Sequence, residues 1–142
     1  MRKLLTITAL IAALALAACG DDSDEETAAA PETEEASAPP DQAIEEIAIV
    51  RDGLDEAVTA YEDGDADAAE EAASEAYLEH FELVEGPLEE VDEELNEELE
   101  VQIREELRAL IEEGAPATEV EKLVGEIDRG LDQAETALEK AA

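Results

Sequence analysis

The chain is poor in nearly every residue on which sites are usually built. It has one cysteine, one histidine, one phenylalanine, two tyrosines and no tryptophan among 142 residues. A single cysteine excludes an intramolecular disulfide. No zinc-binding spacing, Gly-rich phosphate loop or candidate Ser/His/Asp or Cys/His set compensates. We therefore expect a protein that is not an enzyme. Basic residues are equally scarce, since eight Lys and Arg stand against 43 Asp and Glu for a formal charge of −35. Phosphate binding needs a basic patch, so nucleic acid is excluded as a partner.

Long apolar runs are missing too. The segment Leu4 to Leu16, broken only by Thr6 and Thr8, falls short of the ~20 residues that a transmembrane helix needs. Behind Arg2 and Lys3 it reads as a secretory signal. It closes on Leu16-Ala17-Ala18-Cys19, which resembles the lipobox of bacterial lipoproteins. That resemblance implies that residues 1–18 are cleaved as a signal peptide. It also implies that Cys19 carries a diacylglycerol thioether and that the new amino terminus is acylated. The competing reading of Cys19 is a free thiol in an uncleaved leader. Two or three acyl chains anchor a protein stably, whereas one binds only marginally. The expected location is thus a cell membrane, lipid-anchored, on the extracytoplasmic face, periplasmic or at the cell surface.

Cleavage removes Arg2 and Lys3 and no acid, which takes the charge from −35 to −37. Two readings of that acidity stand. One is a solvated surface suited to high salt, where ~1 M salt shortens the Debye length to about 3 Å. The other is a carboxylate surface that collects hard cations. Residues 19–41 follow the signal as an acidic linker with Pro31, Pro39 and Pro40 and no basic or large apolar side chain. Such a segment cannot bury enough apolar surface to offset its ordering entropy, and like charge extends it as a tether.

From Gln42 the apolar residues recur at helical spacing. Ile44, Ile47, Val50, Leu54, Ala57, Val58 and Tyr61 share one face. Asp63-Gly64-Asp65 supplies a C-terminal cap and the next N-cap. A second stripe runs Ala69, Ala72, Ala73, Ala76, Tyr77, Phe81, Val84 to a stop at Gly86-Pro87, and a third runs from Leu88 through Leu99, Ile103 and Leu107 to Gly114. The fourth runs from Val120 to Leu138 behind Thr118-Glu119-Val120-Glu121, which has the spacing of a capping box. Amphipathic helices joined by short turns hide their stripes against one another. The expected fold class is all-α, an antiparallel up-down-up-down four-helix bundle over residues 42–142.

The chemically richest stretch is Ala76-Tyr77-Leu78-Glu79-His80-Phe81-Glu82-Leu83-Val84-Glu85. On a regular helix His80 falls between Ala76 and Val84, inside the bundle, where it needs a hydrogen-bond partner. A turn at Gly86-Pro87 places Asp92 opposite it. Either the two form a structural pair, or His80 and Asp92, with a carboxylate such as Glu85, ligate a metal, because bundle cores with such ligands suit iron or manganese. The Glu-x-x-His spacing of di-iron bundles is absent, since Tyr77 stands three residues before His80. Glu106, in line with Leu99 and Leu110, either faces inward or marks a helix rotated so that Ile103 and Leu107 face the core; we favour rotation. The ladder Glu71, Glu75, Glu79, Glu82 reads as a solvated face.

The same stretch, with Tyr61-Glu62-Asp63-Gly64-Asp65 before it and Glu98-Leu99-Glu100 and Leu107-Arg108 after it, resembles the extracytoplasmic helical region of prokaryotic high-affinity iron permeases. Glu82 and Glu85 match the two acidic positions of that family's A-Y-x-x-F-E-x-x-E segment. The resemblance implies a role near iron or another divalent or trivalent metal. It does not imply transport, because the membrane helices are absent. The first functional reading is a metal-associated module serving a membrane permease or other protein partner, with His80, Glu82, Glu85 and Asp92 as candidate metal ligands. The second is a non-catalytic structural or interaction bundle with no specific metal site.

Overall fold

The computed structural model describes residues 38–142. The expected signal peptide, Cys19 and the expected linker up to residue 37 lie outside the described residues. The fold is all-α, with no strand among the described residues. Three helical runs are separated by turns at residues 63–65 and 114–116.

Helix α1 spans Pro40–Glu62 and starts two residues ahead of Gln42. Pro39 is extended and Pro40 occupies the first turn, where its missing N–H removes no intrahelical bond. Ala43, Ile47, Val50, Leu54 and Ala57 are buried on one face. Gly64, at φ +87°, ends the helix in a left-handed conformation that a side chain would strain. Asp65 then caps α2, Ala66–Glu75, by accepting the Ala68 N–H at 3.1 Å.

The middle run continues from α2 through a π-helical segment, Ala76–Phe81, into α3, Glu82–Val101. A second π-helical segment, Gln102–Leu107, leads to α4, Arg108–Glu113, which ends on Gly114 at φ +68°. Gly86-Pro87 is not the turn that composition suggests, because Pro87 is buried inside α3 with Val84 and Leu88 beside it. The interruption falls five residues later, at Asp92, whose φ of −157° and ψ of 80° leave the helical region. Asp92 supplies what Gly-Pro cannot, a side-chain acceptor for the next helical stretch. Its carboxylate takes the Leu95 N–H at 3.2 Å, as an N-cap does. Beyond Asp92 the run lies alongside its own first half, for Arg108 reaches Glu70 at 2.9 Å.

Helix α5, Ala117–Ala141, buries all of the expected stripe: Val120, Leu123, Val124, Ile127, Leu131, Ala134 and Leu138. The capping box at Thr118 does not form. Pro116 is the N-cap and no side chain caps the helix, since it begins one residue ahead of Thr118. Tyr61 Oη donates to the Ala115 carbonyl at 2.6 Å and ties the end of α1 to the last turn. Arg51 of α1 meets Asp128, Asp132 and Glu135 of α5 at 3.0, 2.7 and 3.6 Å.

Small residues set how closely the helices approach. A Cβ on Gly53 would sit 2.9 Å from the Ala76 Cβ, whereas one on Gly125 meets nothing within 4 Å. Overpacking costs ~1–3 kcal/mol, more than the ~1 kcal/mol that helix propensity returns on replacing glycine by alanine. Gly53→Ala is therefore expected to lower the melting temperature and Gly125→Ala to raise it, as thermal denaturation followed by circular dichroism will show.

Candidate functional site

Two clusters collect the chain's scarce chemistry, and both are shaped by the first π-helical segment. Bonding from i to i+5 widens the turn by a residue and rotates the helix beyond it. Phe81 thereby takes the core position and is fully buried. His80, expected inside between Ala76 and Val84, is carried to the edge and keeps 25% of its side chain exposed.

The partner of His80 is not Asp92. Its Nδ1 lies 2.8 Å from the Glu46 carboxylate of α1, while Asp92 is exposed at the helix break. The His80–Glu46 pair borders a cleft of about 190 Å³ between α1 and the middle run, with Gly53, Ala72 and Ala76 at its back and Asp52, Glu56 and Glu75 around it. The polar groups of the cleft lining are His80 and the carboxylates of Asp52, Glu56 and Glu75, and the His80–Glu46 contact links α1 to the middle run.

The second cluster joins the two π-helical segments. Tyr77, 6% exposed, donates its hydroxyl to Glu85 at 2.9 Å. Its ring stacks on Phe81 with centroids 6.0 Å apart. Arg104, on the other π-helical segment, lies 5.9 Å from the Tyr77 ring centroid, within cation–π reach. Its guanidinium also pairs with Glu100 at 2.6 Å and Glu105 at 3.1 Å. Burial, then the bond to Glu85, pushes the Tyr77 hydroxyl up to about 12. Burial first, and the nearby charges of Glu100 and Glu82, raise the Glu85 carboxyl above its ordinary value, although the Tyr77 bond opposes this. Arg104 is held more firmly protonated by Glu105, Tyr77 and Glu100. The cluster is a closed clamp in which each charge already has its partner.

Three of the four candidate ligands are thus engaged by separate partners, and the fourth is exposed. His80 pairs with Glu46, Glu85 accepts from Tyr77, Asp92 caps Leu95, and Glu82 is exposed. Among the described residues no group of three or more His, Cys, Asp or Glu is disposed to hold a metal ion. Glu106 is exposed while Ile103 and Leu107 are fully buried, so the third stripe is rotated as favoured. Glu71, Glu75, Glu79 and Glu82 are all exposed.

Sequence reasoning missed Glu46, Arg104 and Asn96. Arg104 carried a usable signal, as one of only eight basic residues. Glu46 carried none, because its role depends on a contact 34 residues away. Asn96 is the one buried polar residue among those described, and its Oδ1 has no hydrogen-bond partner. An unsatisfied buried polar atom costs about 1–3 kcal/mol. Asn96→Leu is accordingly expected to stabilise the fold by ~1 kcal/mol in urea denaturation, and a loss of stability would show that the amide is satisfied.

No protein-family model, no curated protein and no solved structure matches this chain.

Proposed function

We infer that the chain is a lipid-anchored extracytoplasmic interaction module. In this reading residues 1–18 are a signal peptide, Cys19 is acylated, and residues 19–39 hold a non-catalytic helical domain away from the membrane. The observation that carries it is the run Leu4 to Leu16 closing on Leu16-Ala17-Ala18-Cys19 and followed at once by an acidic, proline-containing segment. Among the described residues no helix is long and apolar enough to cross a membrane. The domain is an antiparallel up-down-up-down four-helix bundle, with Asp92 dividing the middle run into two rods. The Arg108–Glu70 pair and the stack of Arg104 on Tyr77 support that arrangement.

Interaction is favoured over iron handling because His80, Glu85 and Asp92 are held by separate partners, Glu46, Tyr77 and the Leu95 N–H. Two experiments test this function. Fractionation of cells making the full chain should place it in the membrane pellet, digestible by protease added to spheroplasts; recovery from the cytosol would end the proposal. Titration with Fe(III), Fe(II), Cu(II) and Ca(II) should raise the melting temperature no more than NaCl at matched ionic strength. Saturable binding well below millimolar that is lost in a His80→Ala/Glu82→Ala double variant would restore the metal-associated reading and a permease partner.

A further inference from the structure

The rotation of the third stripe leaves a groove that the packing does not fill. Leu107 and Ile111 turn to the core, while Leu110 is only half-buried and Ala109 is exposed. Together with Leu123 of α5 they floor an open groove of about 610 Å³ between the middle run and α5. The rim is acidic. Glu106 lies on one side and Glu119 and Glu126 on the other. The single cation there, Lys122, is already drawn to Glu126 at 3.0 Å.

We propose that this groove docks a cationic amphipathic helix of a partner protein, whose apolar face meets Ala109, Leu110 and Leu123 while its Lys or Arg side chains meet Glu106 and Glu119. The inference deepens the interaction reading above and rests on it. Charge selects the occupant. A second copy of this chain brings a formal charge of −35 to the same rim. The chain's own linker, residues 20–37, has no basic and no large apolar side chain to offer. An anionic membrane surface is repelled as well. A positively charged helix with one apolar face satisfies both floor and rim, and helix-in-groove recognition reads such faces at i, i+3, i+4 and i+7. Complementary rim charge speeds encounter and fixes register.

The test uses the full chain in maltoside micelles and an 18-residue peptide carrying leucine on one helical face and lysine on the other. Binding is followed by fluorescence anisotropy against a micelle-only blank. Saturable binding is expected, weakened at least ~10-fold by Glu106→Lys/Glu119→Lys and less than about 3-fold by Glu89→Lys/Glu90→Lys. Both double variants change the net charge equally, and all four residues are exposed. Ala109→Trp, which fills the groove without altering charge, is expected to weaken binding to a similar degree as the rim variant. Equal weakening by the two charge-reversal pairs would overturn the proposal, because the peptide would then report only the polyanion. An undiminished affinity in Ala109→Trp, or dimerisation of the chain that Ala109→Trp abolishes, would overturn it too. Such failures leave the anchored interaction module standing, whereas a chain recovered from the cytosol removes that reading and leaves the peptide result unchanged.

Discussion

Phe81→Ala is expected to lower the free energy of unfolding by about 4 kcal/mol, within the ~3–5 kcal/mol range typical of removing a buried aromatic. Phe81 is fully buried and is the chain's only phenylalanine. That range includes the cavity left behind, because the side chains around a vacated ring relax only partly. The substitution also removes the stacking partner of Tyr77 and so loosens the clamp between the two π-helical segments. Small domains are stable by only about 5–15 kcal/mol, and this loss is a large share of it. Urea denaturation followed at 222 nm will read it. A loss under ~1.5 kcal/mol would show that the π-helical segment relaxes to an ordinary helix and closes the gap.

The second large effect is electrostatic. Residues 38–142 hold 35 of the acids and six Lys and Arg, a formal charge of −29 that repels itself across the fold, and the cations present answer only part of it. Raising NaCl from ~0.01 M to ~1 M shortens the Debye length from about 30 Å to 3 Å. The melting temperature is expected to rise by roughly 10 °C, corresponding to ~2 kcal/mol at about 4–8 °C per kcal/mol for a domain of this size. Acid acts in the same direction. The Glu85 carboxyl titrates above its ordinary value of 4.5 in the folded protein, so the native state binds that proton more tightly than the unfolded chain does. Its contribution is fully present below 4.5 and is lost as pH rises through the raised native value. Tyr77 behaves alike at the alkaline end, with a contribution present below 10 and lost as pH climbs through about 12. Mild acidification from pH 7 should therefore stabilise the protein, and Glu85→Gln should remove part of that dependence. A melting temperature indifferent to salt would show that the acids are too dispersed to oppose folding.

Fold class was legible because binary patterning survives averaging over a whole helix. Every apolar position named for the last helix is buried, and Gly64, Asp65 and Gly114 mark ends where left-handed backbone or a short carboxylate is required. What escaped were local departures from a regular helix. Gly86-Pro87 reads as a stop, but one lost N–H does not end a helix whose neighbours Val84 and Leu88 are fully buried. Asp92 breaks it because its side chain can cap the next helical stretch at Leu95, and the acidic residues around it, Glu89, Glu90, Glu93 and Glu94, gave no sign of which carboxylate would do so. A wheel drawn at constant pitch cannot anticipate a π-helical segment, and one extra residue in that turn moved His80 from the interior to the edge. The same geometry hid Glu46, whereas Tyr77 inward and Glu79 and Glu82 outward were read correctly.

The proposed membrane anchorage rests on Cys19. Intact-mass and peptide mass spectrometry of the full chain, expressed in a bacterium and extracted from its membranes, tests it most directly. The predicted result is a mature protein beginning at Cys19, its thiol in a thioether to diacylglycerol and its amino group acylated, with Cys19→Ala left unprocessed. A chain that keeps residues 1–18 and a free Cys19 thiol would contradict it.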